Sequence, residues 1–346
     1  MSTSSNIIIQ NNFDMTIKDQ PSCQDQHFYG HGKLLFSGEY FILDGVEALA
    51  LPTKVGQSLS VKYESSFAPK LYWKSYDINS SLWFEASFEF WQFDFLGKDL
   101  SDEVRFLQKL LRQARRQNTH FLRDNVDVLV ETRLGFPLEW GLGSSSSLIY
   151  NIAQWAYISP FELLFNTQKG SGYDVACAQS DGPILYQKGN SGPHWRPITF
   201  SPSFKDQLYF VYLGKKQCTA DAINHYLNRI PTGKNVEKAL TEMTNGMLSS
   251  NNLFEFERVI EEHEKIVANS LKLERAKNLY FSDYWGEVKS LGAWGGDFVL
   301  VTSDRSTKET REYFLQHGYK IFIPYNEMIL EGSGLNSGGI SGANIQ

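Results

Sequence analysis

Cysteine is scarce in this 346-residue chain, with three residues at Cys23, Cys177 and Cys218. They are odd in number, far apart and without metal-ligand spacing. That excludes a disulfide framework or a zinc cluster as the organising device and predicts reduced thiols in a cytoplasmic protein. Long apolar runs are missing. No stretch approaches the ~20 residues of a membrane helix, and the Ile7-Ile8-Ile9 patch lacks the basic flank of a secretory signal. Charge of one sign is nowhere concentrated, and the formal net charge is -6. This argues against a nucleic acid or an anionic membrane as partner. The cluster Arg112, Arg115 and Arg116 reads as the solvated face of a helix. Several signatures are also absent. No Gly-Lys is followed by Ser or Thr, so there is no Walker loop. The dinucleotide fingerprint fails because Ser146 stands where its third glycine belongs. His263-Glu264 lacks a second histidine at metalloprotease spacing.

What is present is ordinary globular material. A hydrophobic share of 42% is enough for one large or two medium domains. Apolar and polar residues alternate, with many aromatics, from Gln57 to Phe95, which predicts strands. Ser101-Asp102 suits a helix start, and Val104, Phe106, Leu107, Leu110 and Leu111 follow at helical spacing. Val126 to Thr132 reads as a strand, followed by a helix from about Ser145 to Tyr157. Phe161 to Phe165 and Tyr173 to Gln179 read as short helices, and Ile184 to Tyr186 as a strand. Beyond Ser201, strands at 208–213, 298–302 and 319–323 alternate irregularly with helices at 236–248, 253–272 and 308–316. Without regular βαβ alternation the expected class is α+β, in two lobes. The expected boundaries are a flexible extension at 1–26, an N-terminal domain at 27–200, a C-terminal domain at 201–330 and a Gly/Ser/Asn-rich flexible tail at 331–346.

The chemistry concentrates in glycine-punctuated segments. In Trp140-Gly141-Leu142-Gly143-Ser144-Ser145-Ser146-Ser147, two glycines and four serines enter an apolar helix. Glycines let backbone approach an anion, the first turn of a helix offers unpaired N–H groups at its positive end, and serine hydroxyls add donors or a magnesium ligand. Such a loop suits a nucleotide phosphate. By itself a structural turn is its default reading, and any one serine can be a helix cap. Three further segments accompany it: Gly32-Lys33-Leu34-Leu35-Phe36-Ser37-Gly38-Glu39-Tyr40, Gly170-Ser171-Gly172-Tyr173-Asp174, and Leu291-Gly292-Ala293-Trp294-Gly295-Gly296-Asp297.

In this order and spacing the set resembles the GHMP kinases, the superfamily of galactokinase, homoserine kinase, mevalonate kinase and phosphomevalonate kinase. The resemblance runs from about Gly32 to Phe322. It implies a two-lobed fold of mixed sheets with helices, an active site between the lobes, ATP and Mg²⁺ as cofactors, and a small-molecule hydroxyl or phosphate acceptor. Gly141, Leu142, Gly143 and Ser144 to Ser147 would wrap the ATP phosphates, with Ser145 reaching Mg²⁺. Ser146 stands within that set. Asp174 matches the catalytic aspartate, able to orient the acceptor and take its proton. Lys33 would keep that aspartate ionised and balance charge on the attacking oxygen. Glu39, Tyr40, Gly295, Gly296 and Thr219 fall where acceptor contacts are placed, with Lys215 and Lys216 beside the last. Cys177 reads as small packing.

The match is closest to the mevalonate-pathway branch, so mevalonate or phosphomevalonate is the expected acceptor. A sugar or homoserine kinase, or a nucleotide-binding regulator without turnover, are the alternatives. A homodimer is compatible with the residues but not read from them. Trp294 and Asp297 depart from the small residues usual in the third loop. Trp294 would bring bulk near the phosphates or acceptor, and Asp297 a negative charge near ATP unless a cation meets it. Glu162 is the one acid in the short interval upstream of Asp174, but its context does not match a second magnesium ligand.

Overall fold

The computed structural model describes residues 25–190, 192–214, 226, 233–292, 294 and 296–332. The expected extension and tail lie almost wholly outside these residues, as do Cys23, Lys215, Lys216, Cys218, Thr219 and Gly295.

The first lobe is built on a mixed seven-stranded sheet. Its strands are β1 (Gln26–Leu35), β2 (Ala48–Ser65), β3 (Lys70–Tyr76), β4 (Leu82–Glu89), β5 (Val126–Leu134), β6 (Ile184–Gly189) and β7 (Gly192–Pro197). They run in the order β4-β3-β5-β2-β6-β7, with β1 also paired to β2. All neighbours are antiparallel except β3 and β5. The β1–β2 register slips between His31 and Lys33, opposite Pro52. Proline has no N–H to give to a ladder, the Pro52 carbonyl accepts from the Leu330 amide at 3.0 Å, and the Lys33 amide donates to the Leu142 carbonyl at 2.9 Å. The bulge thus ties β1 to the Gly/Ser loop.

Four helices belong to this lobe: α1 (Asp102–Gln117), α2 (Ser144–Ala156), α3 (Pro160–Thr167) and α4 (Tyr173–Ala178). The expected start of α1 holds because Ser101 caps it through the Val104 amide, and α3 begins one residue before the expected Phe161 because Ser159 caps it through the Glu162 amide. Val104, Leu107, Leu110 and Leu111 of α1 join Val61, Leu71, Trp73, Val130, Ile149 and Ile152 in one core. The arginine cluster needs correction. Arg112 and Arg116 are exposed, but Arg115 is buried. It lies four residues beyond Leu111, on the apolar face, and donates to the carbonyls of Phe90, Trp91, Phe121 and Leu122. Its guanidinium lies 4.1 Å from the Phe93 ring centre. Burial, then Arg123, push its pKa down to about 10.

The second lobe holds an antiparallel four-stranded sheet in the order β11-β8-β10-β9, made of β8 (Leu208–Tyr212), β9 (Val288–Ser290), β10 (Phe298–Thr302) and β11 (Phe322–Pro324). Every residue of β10 is buried, so it reads as an apolar run without alternation. Among the described residues the lobe also holds helices α5 (Lys234–Ser249), α6 (Leu253–Leu271), α7 (Ala276–Tyr280), α8 (Thr307–Gln316) and α9 (Tyr325–Met328). A second core crosses between the lobes, joining Leu34, Phe36, Leu51, Leu134 and Leu142 to Phe210, Phe256, Ile260, Leu300 and Met328. Among the described residues no helix is long and apolar enough to cross a membrane.

Candidate active site

The Gly/Ser loop follows β5 through a short 3-10 turn, Leu138–Trp140, and ends where α2 begins. Gly141 and Gly143 take φ of 65° and 89°, the left-handed region that glycine enters without penalty. Both also stand where a Cβ has no room. At Gly143 it would lie 2.7 Å from Ser146 Oγ and 2.9 Å from Lys33 Cγ. Their absence lets the lysine lie along the loop. Lys33 Nζ donates to the Gly141 carbonyl at 2.9 Å.

The four serines divide. Ser146 and Ser147 are buried, and their hydroxyls donate inward, to the Gly143 carbonyl at 2.8 Å and to Gln57 Oε1 at 2.9 Å. Ser145 is exposed and Ser144 half-buried. No side chain caps α2, and its first turn carries no acid. This end of the helix suits an anion.

Asp174 lies in the first turn of α4, where its Oδ1 accepts from the Val175 amide at 3.0 Å. Burial raises its pKa, while the Lys33 charge and that amide pull it back. Burial also works against the Lys33 charge. Tyr173 and Asp174, with Asp297, outweigh it and leave the lysine pKa raised. Tyr173, whose ring centre is 5.7 Å from Lys33 Nζ, is pushed up to about 12 by burial, despite Lys33. Cys177 is wholly buried, and burial followed by Asp174 drives its thiol far up, so it is no nucleophile at neutral pH.

The second lobe closes on the loop through aromatics. Trp140 meets Phe298 edge-on at 5.4 Å, and Tyr212 Oη donates to the Glu139 carbonyl at 2.9 Å. Asp297 precedes β10 with φ of 49°. A Cβ on Gly141 would be 2.1 Å from its Oδ2, so the carboxylate lies directly against the loop. Its negative charge is the last of the groups that hold the Lys33 pKa up.

The Trp294 side chain packs in a cluster that contains none of the Gly/Ser-loop residues, and in this loop positive φ falls on Gly292 and Asp297, not on Trp294. The indole is buried with Phe41, Val46, Tyr226, Leu240 and Val267. Its Nε1 donates to the Glu274 carbonyl at 2.8 Å and its amide to Tyr40 Oη at 2.9 Å. Tyr40 stacks on Tyr226 at 5.4 Å. Glu162 is exposed at the start of α3.

Glu39 is wholly buried and ion-paired to Lys289, with His263 Nε2 3.4 Å from its other oxygen. Gly296 is buried beside Asp297. Sequence reasoning missed Lys289, His263 and Glu264, which surround Glu39. It noted His263-Glu264 as a failed zinc pattern, and Lys289 carried no local signal. A groove of about 650 Å³ between α5 and α6, lined by Met243, Gly246, Glu255, Arg258 and Glu262, contains none of the loop residues. Among the described residues no three His, Cys, Asp or Glu side chains converge on a metal position.

No family model matches the sequence, and no curated protein matches it. Solved structures do match. A phosphomevalonate kinase from Streptococcus pneumoniae, in complex with phosphomevalonate and AMPPNP, is 17% identical with a TM-score of 0.62, over 86% of this chain and 99% of that one. L. major mevalonate kinase in complex with R-mevalonate is 15% identical with a TM-score of 0.59, over 87% and 93%. Lactococcus lactis galactokinase complexed with galactose is 12% identical with a TM-score of 0.58, over 90% and 95%. The chain therefore has the two-lobed α+β fold of the GHMP kinases.

Proposed function

We propose that this chain is an ATP-dependent phosphotransferase acting on a small acceptor, with mevalonate or phosphomevalonate as the first candidates. The observation that carries the reading is the convergence of an uncapped helix start, Lys33 and Asp174 on one loop. The residues fit a polyphosphate. Gly141 and Gly143 leave the cradle a Cβ would fill, and the amides of Ser144 and Ser145 stand at the positive end of α2. They also fit a hard cation held mainly by phosphate oxygens. The Ser145 hydroxyl and the Asp174 carboxylate are oxygen donors, and magnesium usually takes one or two protein ligands beside phosphate. When bound, the cation neutralises charge on the phosphates.

In the proposed reaction the acceptor oxygen forms a bond to the γ-phosphorus as the bridge to the β-phosphate breaks. Asp174 orients the acceptor and takes its proton where it carries one, and ADP leaves. Lys33 keeps Asp174 anionic and balances charge on the attacking oxygen. Phosphoryl transfer depends mostly on positioning and electrostatics, so this small set suffices. The choice of acceptor is supported by the Gly-Glu-Tyr and Ser-Gly-Tyr-Asp segments and by the ligands of two structural neighbours. A regulator that binds nucleotide without turnover is the second reading, favoured by the Asp297 carboxylate against the loop.

ADP release over a panel of mevalonate, phosphomevalonate, galactose and homoserine separates these readings. Asp174→Asn should lower turnover by about 10²–10⁴-fold and leave nucleotide binding near wild type. Near-wild-type turnover in that variant would sink the assignment.

A further inference from the structure

Helix α1 carries its positive charge in a stripe. Arg105, Lys109, Arg112 and Arg116 stand four, three and four residues apart, so one face of the helix holds them all. Along the chain they are interleaved with Leu107, Leu110, Leu111 and Ala114, which face the core. The stripe borders a groove of about 320 Å³ between α1 and α3. The other lining side chains are amides, Gln113 and Asn166 among them, and no carboxylate lines it. Like charges at this spacing cost a helix stability, and here they gather in a chain whose formal net charge is -6.

Their partners leave charge to spare. Arg105 pairs with Asp102 at 2.9 Å and Arg112 with Asp94 at 2.6 Å. Both pairs are exposed, and such pairs contribute little to stability. Lys109 Nζ donates to the carbonyl of Thr167, the last residue of α3, which holds the ammonium at the groove. The Arg116 guanidinium has no ionic or hydrogen-bond partner among the described residues.

We propose that this groove is an anion site separate from the phosphate loop, and that it takes a small molecule bearing a diphosphate group. A guanidinium presents a planar fork of donors that matches phosphate oxygens. From Lys109 to Arg116 the stripe runs about 10 Å along the helix axis. That is longer than one tetrahedral anion covers, and two linked phosphates meet a cation at each end. The volume is that of a small-ligand site, and the amides supply donors and acceptors for the rest of the molecule. None of the lining residues belongs to the Gly/Ser loop, so the inference does not rest on the nucleotide reading.

The test is calorimetric titration with inorganic pyrophosphate of the wild type, Ser145→Glu, and Ser145→Glu combined with Arg112→Gln or with Arg116→Gln. All three positions are exposed, and thermal melting checks that each variant folds. Ser145→Glu sets a negative charge in the phosphate loop and so removes that loop as a second site for the probe. Pyrophosphate should bind the wild type and Ser145→Glu saturably. Each added arginine substitution should weaken the binding left in Ser145→Glu by at least about fivefold. Sulfate at equal ionic strength should bind Ser145→Glu at least about fivefold more weakly than pyrophosphate does. No saturable binding to the wild type overturns the proposal. So does binding that disappears in Ser145→Glu, which assigns the probe to the phosphate loop, or binding there that neither arginine substitution weakens. Sulfate binding as tight as that of pyrophosphate overturns it too, since that is attraction of counter-ions without a diphosphate site.

Discussion

Glu264 is a carboxylic acid with almost nothing to ionise into. With Glu39, His263 and Lys289 it forms a wholly buried cluster, Lys289 paired to Glu39 and 3.8 Å from Glu264. One ammonium balances one carboxylate. Burial pushes the Glu264 pKa up to about 8, with Glu39 adding to the effect and Lys289, the Ser290 amide and Arg275 opposing it. Burial, then Lys289, push the His263 pKa well below its usual range, so that ring is neutral. A raised carboxyl pKa means that the folded state binds the extra proton between the ordinary carboxylate range and about 8. Its stabilisation is full at acid pH and is lost as pH rises through that window. Glu264→Gln, neutral at every pH, should flatten this part of the profile. Melting temperatures at pH 5 to 8 should fall less in the variant than in the wild type, and parallel profiles would refute the assignment. The cluster was not legible in the sequence, because Glu39 and Lys289, its ion pair, are 250 residues apart along the chain. Lys33 and Asp174 were legible as candidates because glycines mark the turns around them. Arg115 could have been read correctly from its phase, four residues after Leu111.

The contrast between helix starts shows what an element is for. Helices α1, α3, α6 and α8 are capped by Ser101, Ser159, Asn252 and Ser306, each with an acid in the first turn. These are starts arranged for stability. Helix α2 has Gly143 as its cap, no capping side chain and no acid, which leaves its amides to a ligand. Stability and function therefore oppose each other at Ser145. Ser145→Glu, at an exposed first-turn position, should leave folding unchanged or improve it by about 0.3–1 kcal/mol through the helix dipole. It should weaken AMPPNP binding by more than about tenfold through charge repulsion. Thermal melting and nucleotide titration measure the two effects, and binding at wild-type strength would remove the loop from the site. At this scale the sequence was most informative where periodicity or punctuation ran long. The strand at 298–302 coincides with β10, and α2 lies within a residue of its expected bounds. Strand β9 and helix α9, of three and four residues, are too short to leave a period. Phe41–Asp44 forms a 3-10 helix ended by Gly45 at φ of 92°, too short to leave a period.

At the scale of the molecule the lobes share a joint. Ser37 Oγ is 2.8 Å from Thr244 Oγ1, the Gly38 amide donates to His263 Nε2, and Glu39 is paired to Lys289. These contacts run from the end of the Lys33 segment to α5, α6 and β9, whose last residue adjoins the third glycine loop. Together with the core that crosses between the lobes, they predict one cooperative unfolding transition. They also predict an asymmetry at the buried pair. Removing one partner strands the other charge without water or counter-charge, whereas removing both leaves polar or apolar groups that tolerate burial. Lys289→Met should therefore lower stability by about 3–5 kcal/mol. Glu39→Gln in the same chain should recover most of that loss, because the stranded carboxylate is gone. Urea unfolding of the wild type, the single variants and the double variant measures the coupling. Additive losses would show that the pair does not join the lobes, and two separate transitions in the wild type would show that the lobes fold apart.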